Sequence, residues 1–275
     1  MPAARSFFVF SVMKTIVAAT GFSHTADNAS DYAGSLAEQL NARLVLFHVY
    51  AVPVALGEMS QVFIPVEEMK DSSDEGLKRV KTELLQKHSS VTIDIESRLG
   101  DLNAELNDYC EQHHPDLVII GNHHPEGLER ILLGDSTVDL IRHLKTPVLA
   151  VPSDSSFQQI KDVAIAIDKD CTQQDVEKAK VFVANLGASV RFLHVQTKDE
   201  HTNIQDLLNI EDQRRLDVVP NESLVEGINL FIQKNQVQVL IIIPHQHSKL
   251  ARLFTKTSTD ELTQSIHIPI ASIRS

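Results

Sequence analysis

The chain has 275 residues, a formal net charge of −12, and 43% hydrophobic residues, with aromatics at 5% and no Trp. That length suggests one large or two ordinary domains, and cores without aromatics must rest on Val, Ile, Leu and Ala, as helix-covered α/β sheets do. The acidic balance opposes nonspecific attachment to nucleic acid or an anionic membrane, which needs clustered Lys and Arg, and no apolar run approaches the ~20 residues of a membrane span.

In chain order, residues 1–12 (MPAARSFFVFSV) carry one Arg and a short apolar run. A secretory leader needs a cleavage site, and a core strand beginning at 14 leaves no space for one. The segment is read as a disordered extension or the product of a misassigned start, with Met13 as the native beginning. Strands are then expected near 14–20, 43–50, 91–97, 116–121 and 147–151, with helices near 25–41, 67–88, 101–113 and 135–145. Ser23 to Asp27 supply capping groups for the first helix. A polar linker led by Pro152 follows, Pro152-Ser-Asp-Ser-Ser-Phe-Gln-Gln. Further strands are expected near 162–167, 189–195, 216–219, 237–243 and 269–273. Only residues 196–215 separate the second and third of these, against 51–90 earlier, so a helix is truncated there.

The two halves repeat one another. Leu40–Val49 matches Leu186–Val195 at an offset of 146, and Asp116–Ile120 matches Gln238–Ile242 at an offset of 122. Leu128, Arg130, Ser136, Thr137 and Leu140 find Leu250, Arg252, Ser258, Thr259 and Leu262 at that same offset, and Pro147–Val151 matches Pro269–Ile273. A pattern returning once per ~130 residues means two copies of a domain and not a solenoid. Alternation of strand and helix makes each copy a doubly wound parallel sheet. The organisation expected is a first domain at 13–152, a linker at 153–160 and a second domain at 161–275.

The richest chemistry lies in Asp116–Pro152. A buried strand, Leu117–Ile120, ends at Gly121; Gly134 follows thirteen residues later, then Asp135, Ser136 and Thr137 open a helix. Glycines admit a ligand close to the backbone, and a helix N-terminus offers free N–H groups to phosphate oxygens. This points to a nucleotide phosphate site at the carboxyl ends of an open sheet.

The same segment resembles the closing third of a universal stress protein domain. ATP-binding members of that family carry Gly, two residues, Gly, nine residues, Gly, then Ser or Thr. Gly121 and Gly134 keep the first and third glycines; His124 stands at the second, and Asp135 at the first hydroxyl, with Ser136 and Thr137 behind it. The tandem type of the family covers nearly the whole chain from Met13. The resemblance implies five-stranded sheets of order 3-2-1-4-5 that pack as a pseudo-dimer through their last strands, and a weak site for ATP or AMP, with Mg²⁺, in the first half alone. Adenine would lie against Ala19, Thr20 and Gly21, where Gly21 replaces an Asp common in the family. Val49 would line the base pocket and Gly100 would face the same crevice, unless it is a plain turn glycine. Gly121, Asn122 and Gly134 would present backbone to the phosphates. His124 would either crowd that loop or donate to a phosphate. Asp135 would repel phosphate unless Mg²⁺ intervenes, or would cap the helix. In the second half Ile243, Gln246, Lys256 and Thr257 occupy the positions of Gly121, His124, Gly134 and Asp135. No ATP is expected there, although Asp168 or Asp170 retains an acidic group on the adenine side.

Thirteen histidines invite a metal reading at His113-His114, His123-His124 and His245 with His247. Surface and loop roles are the simpler account, and no metal site is expected. His48 and His194 recur at equivalent strand ends, which argues for a shared structural hydrogen bond. The two cysteines, Cys110 and Cys171, form no CxxC and fit a reduced, cytoplasmic chain. No GxSxG, HExxH or GxxxxGK[ST] pattern occurs. The functional expectation is a stress-response binding and regulatory module and not an enzyme, with slow ATP hydrolysis at most a by-product. An unidentified protein partner and further homodimerisation stay open. So does a role as an interaction protein without nucleotide, using the apolar stretch 51–66, and, last, a metal-dependent enzyme.

Overall fold

A computed structural model describes residues 13–51, 65–122, 135–197, 204–245, 248, 250 and 266–274, with the side chains of 135–137, 207 and 210 outside the described set. The first half runs β1 (Thr15–Ala19), α1 (His24–Leu40), β2 (Arg43–Tyr50), α2 (Val66–Lys87), β3 (Ile93–Leu99), α3 (Leu102–His113), β4 (Leu117–Asn122), α4 (Asp135–His143) and β5 (Val148–Pro152). The second runs β6 (Asp162–Ala166), α5 (Gln173–Asn185), β7 (Ser189–Gln196), a 3₁₀ turn (Ile204–Leu207), α6 (Ile210–Gln213), β8 (Leu216–Pro220), α7 (Leu224–Asn235), β9 (Val239–Ile242) and β10 (Ile270–Ser272).

All ten strands join one mixed, mainly parallel sheet in the order β3-β2-β1-β4-β5-β10-β9-β6-β7-β8. Within each half neighbouring strands are parallel; β5 and β10 meet antiparallel, with Leu149 opposite Ala271. Period-two burial divides the core into two layers. Ile16 and Ala18 of β1 face the layer under α1, α2 and α5, while Val17 and Ala19 face the layer under α3, α4 and α7. Both layers continue across the β5–β10 seam. The outer strands are guarded by Asp94, Glu96 and Arg98 on β3 and by Asp217 and Pro220 on β8, residues that discourage edge-to-edge pairing.

The same local devices recur in both halves. Asp116 Oδ2 accepts from Lys14 N (2.8 Å) and Thr15 N (3.0 Å), pinning the start of β1 to β4. Gln238 Oε1 does the same for Lys161 N and Asp162 N, both at 2.9 Å, between β6 and β9. Ser23 Oγ caps α1 by accepting from Ala26 N, and Thr172 with Asp175 forms a reciprocal capping box on α5.

Element ends lie within one or two residues of those read in the sequence, and two of the shifts bear on the fold. β3 spans 93–99 instead of 91–97, because the connection from α2 is held by Val91 N donating to the His88 carbonyl. Pro152, read as the head of the linker, pairs with Asn122 as the last residue of β5. In the short stretch 196–215 a 3₁₀ turn and the single-turn α6 stand where the first half has the 22-residue α2.

Candidate functional site

The carboxyl ends of β1, β2 and β4 surround a crevice of about 500 Å³. A volume of that order suits a small-molecule ligand. Ala19, Thr20, Gly21, Val49 and Gly121 line it, joined by His48, Ser23, Thr25, Ala26, Leu102, Ile120 and Leu140.

The floor is built from backbone geometry. Thr20 N donates to the Phe47 carbonyl (2.9 Å), carrying the β1–β2 ladder one residue beyond β1. The Thr20 hydroxyl then accepts from Phe22 N (3.3 Å), and Phe22 takes the left-handed conformation (φ 59°) that turns the chain into α1. Its ring packs on His48, centroids 4.3 Å apart, and against Gly76 of α2, where a Cβ would sit 2.7 Å from the ring. His48 Nδ1 lies 2.7 Å from the Thr20 carbonyl oxygen. A carbonyl only accepts, so Nδ1 carries the proton and, in the neutral ring, Nε2 is the acceptor. His194 Nδ1 makes the equivalent bond to the Ile167 carbonyl at 3.0 Å, so the repeated histidines share a structural bond.

Gly121 is required by close approach. A Cβ there would lie 2.7 Å from the Thr25 carbonyl oxygen in the first turn of α1, and this is backbone that cannot swing aside. Gly100 does not line the crevice among the described residues. It turns the chain between β3 and α3 at φ 154°, its N–H donates to the Tyr50 carbonyl (3.0 Å), and a Cβ would meet Glu105 at 2.7 Å. The contact assigned to it from sequence belongs to Leu102. Asn122, at the end of β4, is 3% exposed and also off the lining, and its Oδ1 has no hydrogen-bond partner among the described residues. His123, His124 and Gly134 lie outside the described residues, as do the side chains of Asp135, Ser136 and Thr137; the backbone of α4 opens at Asp135.

The described lining holds no Lys or Arg. Arg98 of β3 is already engaged by Glu96 (3.0 Å), Asp108 (3.4 Å) and Glu105 (3.7 Å), and lies over the Phe47 and Tyr109 rings. No group of three or more His, Cys, Asp or Glu is gathered as a metal site among the described residues. His113 stacks on Tyr109 at 4.3 Å, and His114 terminates α3 with φ 48°. His245 Nε2 lies 3.1 Å from Asp175 Oδ2 without an aligned hydrogen bond. Burial pushes the Cys110 thiol up to about 11 and the Cys171 thiol up to about 12, so neither is a ready thiolate.

At the matching place in the second half the described residues Ile167, Asp168, His194, Leu224, Ile228 and Leu250 surround a space of about 10 Å³. Sheet register makes Ala166 the counterpart of Ala19. Residues 167–171, five of them, connect Ala166 to the cap Thr172, whereas three, 20–22, connect Ala19 to Ser23. The longer turn accompanies Ile243, 1% exposed, at the position of Gly121. Asp168 is turned inward: Oδ1 accepts from Asp170 N (3.0 Å) and from the Cys171 thiol (3.5 Å).

Sequence reasoning missed His48, Ser23, Thr25, Ala26, Leu102, Ile120 and Leu140 as lining. Ile120 and His48 adjoin residues it did select, and the N-terminal position of Ser23–Ala26 on α1 is a signal for the others. Leu102 and Leu140 come from α3 and α4, whose inclination no sequence period reveals.

An open α/β sheet with a ligand-sized crevice beyond its strand ends places the chain among the α/β proteins that have a pocket at the carboxyl edge of the sheet. The model of the Universal stress protein family matches residues 13–152, and the chain belongs to that family. Universal stress protein MJ0531 of Methanocaldococcus jannaschii is 31% identical over 144 residues, covering 51% of this chain and 83% of the relative. A universal stress protein of Archaeoglobus fulgidus superposes with a TM-score of 0.69 at 14% identity, over 95% of this chain and 98% of the other. A functionally unknown protein of Pseudomonas aeruginosa gives 0.57 at 12% identity, over 95% and 92%. At these identities the structural likenesses show the fold alone. No helix among the described residues is long and apolar enough to cross a membrane.

Proposed function

We propose that this chain is a tandem universal stress protein whose two halves form an internal pseudo-dimer, and that it acts as a binding and regulatory module with one adenine nucleotide site, in the first half. The observation that carries this reading is the contrast between the crevices, about 500 Å³ in one half and about 10 Å³ in the other. The base would lie over Ala19, Thr20, Gly21 and Val49. The phosphates would lie toward Gly121 and α4, where a helix N-terminus favours anions. Asn122, Gly134, Ser136 and Thr137 belong to this reading by their place in the family pattern. The lining carries neither Lys nor Arg among the described residues, so ATP would rely on Mg²⁺ for neutralisation and AMP would bind with the smaller electrostatic cost. Binding would alter a surface presented to a protein partner.

Gly21 gives the test. A Cβ at this position meets nothing within 4 Å, so Gly21→Asp fits the fold and restores the acceptor found in nucleotide-binding relatives. Calorimetric titration of the full chain with AMP and Mg·ATP should show one weak site per chain, tightened about tenfold by Gly21→Asp through one charge-assisted hydrogen bond. Val49→Trp should fill the base pocket and abolish binding. Equal binding by the parent and by Val49→Trp would remove the nucleotide from this crevice.

A further inference from the structure

A separate recess lies where the two halves meet, away from the crevice. Tyr32 of α1, Asp154 and Ser156 of the connection, Gln238 at the head of β9, and His267 and Pro269 at the head of β10 contribute to its wall. It measures about 160 Å³, space for about five waters at ~30 Å³ each.

Its walls are fixed before any ligand arrives. Asn28 Nδ2 donates to the Pro152 and Ser155 carbonyls, both at 3.0 Å, and Gln39 exchanges two hydrogen bonds with the backbone of Ile160. The connection is thus tied to α1 at both ends. Gln238 is held in place, its Oε1 accepting from two backbone N–H groups and its Nε2 donating to the Gln236 carbonyl.

Tyr32 is the unspent group. It is 3% exposed, packed edge-on against Phe157 at 5.1 Å, and its hydroxyl bonds to no protein group among the described residues. A buried Tyr usually satisfies its hydroxyl. Burial pushes its pKa well above the ordinary value, so the hydroxyl remains a donor at any working pH. At the mouth His267 Nδ1 lies 2.8 Å from Asp154 Oδ2. With the chain at −12 and no uncommitted cation in the wall, an anion gains nothing here. The wall is mainly polar, and Pro269 and the Tyr32 ring belong to its smaller apolar part.

We propose that this recess binds a neutral polyhydroxylated small molecule, a polyol or monosaccharide up to the size of a hexose, with its C–H face on Pro269 and its hydroxyls on Tyr32 and Ser156. Such a ligand touches α1, the connection and the heads of β9 and β10 at once, so its binding clamps the two halves together. The site is independent of the nucleotide reading.

The test is titration of the full chain with D-glucose and with xylitol by ligand-observed NMR, with hydrogen exchange of residues 153–160. Saturable binding of at least one, with a dissociation constant on the order of a millimolar, is ordinary for a ligand of this size. It should slow exchange at 155–158. Tyr32→Phe should weaken it about tenfold, Ser156→Trp at the exposed mouth should abolish it, and Val49→Trp in the crevice should leave it unchanged. Absence of saturation by either probe overturns the proposal, as does Ser156→Trp binding like the parent. If Tyr32→Phe fails to fold, Ser156→Trp decides alone.

Discussion

The two halves of the sheet share a plan and differ at one place. In the first, Gly121 lets the opening turn of α1 press against β4, and a crevice opens beside it. In the second, a turn two residues longer accommodates Ile243, and side chains close the space to about 10 Å³. The scaffolding on either side is kept: the histidine-to-carbonyl bond, the helix caps, and the side-chain brace between the first and fourth strands of each half. What a half needs in order to fold is therefore separable from what it needs in order to hold a ligand.

Exchanging the residues that differ is the most severe way to test that separation. Gly121→Ile carries the second half's residue into the short-turn half, where its Cβ meets the Thr25 carbonyl oxygen at 2.7 Å. Relief requires moving α1, so a loss of about 3 kcal/mol or more is expected in denaturant titration. The reverse change, Ile243→Gly, removes a residue 1% exposed and should cost about 4 kcal/mol from lost burial, cavity and backbone entropy. It should confer no nucleotide binding, because Leu224, Ile228 and Leu250 still fill the space. Nucleotide binding by Ile243→Gly would show that a single side chain separates the halves.

A smaller effect compares the two braces. Asp116 and Gln238 each accept two backbone N–H bonds with near-equal distances, one as a carboxylate and one as a neutral amide. Charge-assisted bonds are the stronger, although Lys14 lies exposed. Asp116→Ala should cost about 2 kcal/mol and Gln238→Ala about 1 kcal/mol, read from denaturant midpoints at unchanged slope. Equal costs would mean that geometry, and not charge, sets the value of the brace.

Most of this arrangement was legible in the chain because its signals are local. Apolar β-branched runs ending at Gly121 or Ile243, capping residues at Ser23 and Thr172, and the repeated His48 and His194 each record a nearby constraint. The α/β sheet follows from them, and so do Ala19, Thr20, Gly21, Val49 and Gly121 as neighbours in space. A glycine after a strand reads alike whether it serves a turn or a ligand, so both roles are open for Gly100 in the sequence; its contacts with Tyr50 and Glu105 are those of a turn. The closing of the second crevice was equally hidden, since it depends on how two inserted residues, an isoleucine and a helix from elsewhere combine. The junction recess left no motif at all, because its wall is assembled from four distant segments.

The 22-residue α2 has no helix of similar length at the matching place among the described residues of the second half. Asp74 on this helix accepts from Lys70 at 2.7 Å and from the Ser97 hydroxyl of β3, and these bonds hold its carboxyl below the usual carboxylate range. A depressed carboxyl contributes stability above its unfolded pKa, and that contribution is lost as pH falls through the folded value. The window therefore lies at and below the ordinary carboxylate range near pH ~4. The group is near the surface, so the effect should be only about 0.5 kcal/mol. Asp74→Asn should lower stability by that amount at neutral pH and converge with the parent at low pH. On the four-residue α6 the carboxylate Asp212 is held by Lys180 of α5 at 2.6 Å and not by a neighbouring strand, so hydrogen exchange should place the effect of Asp74→Asn in α2 and β3. If the substitution loosens β8 first, the surface network of α2 is not what acid removes.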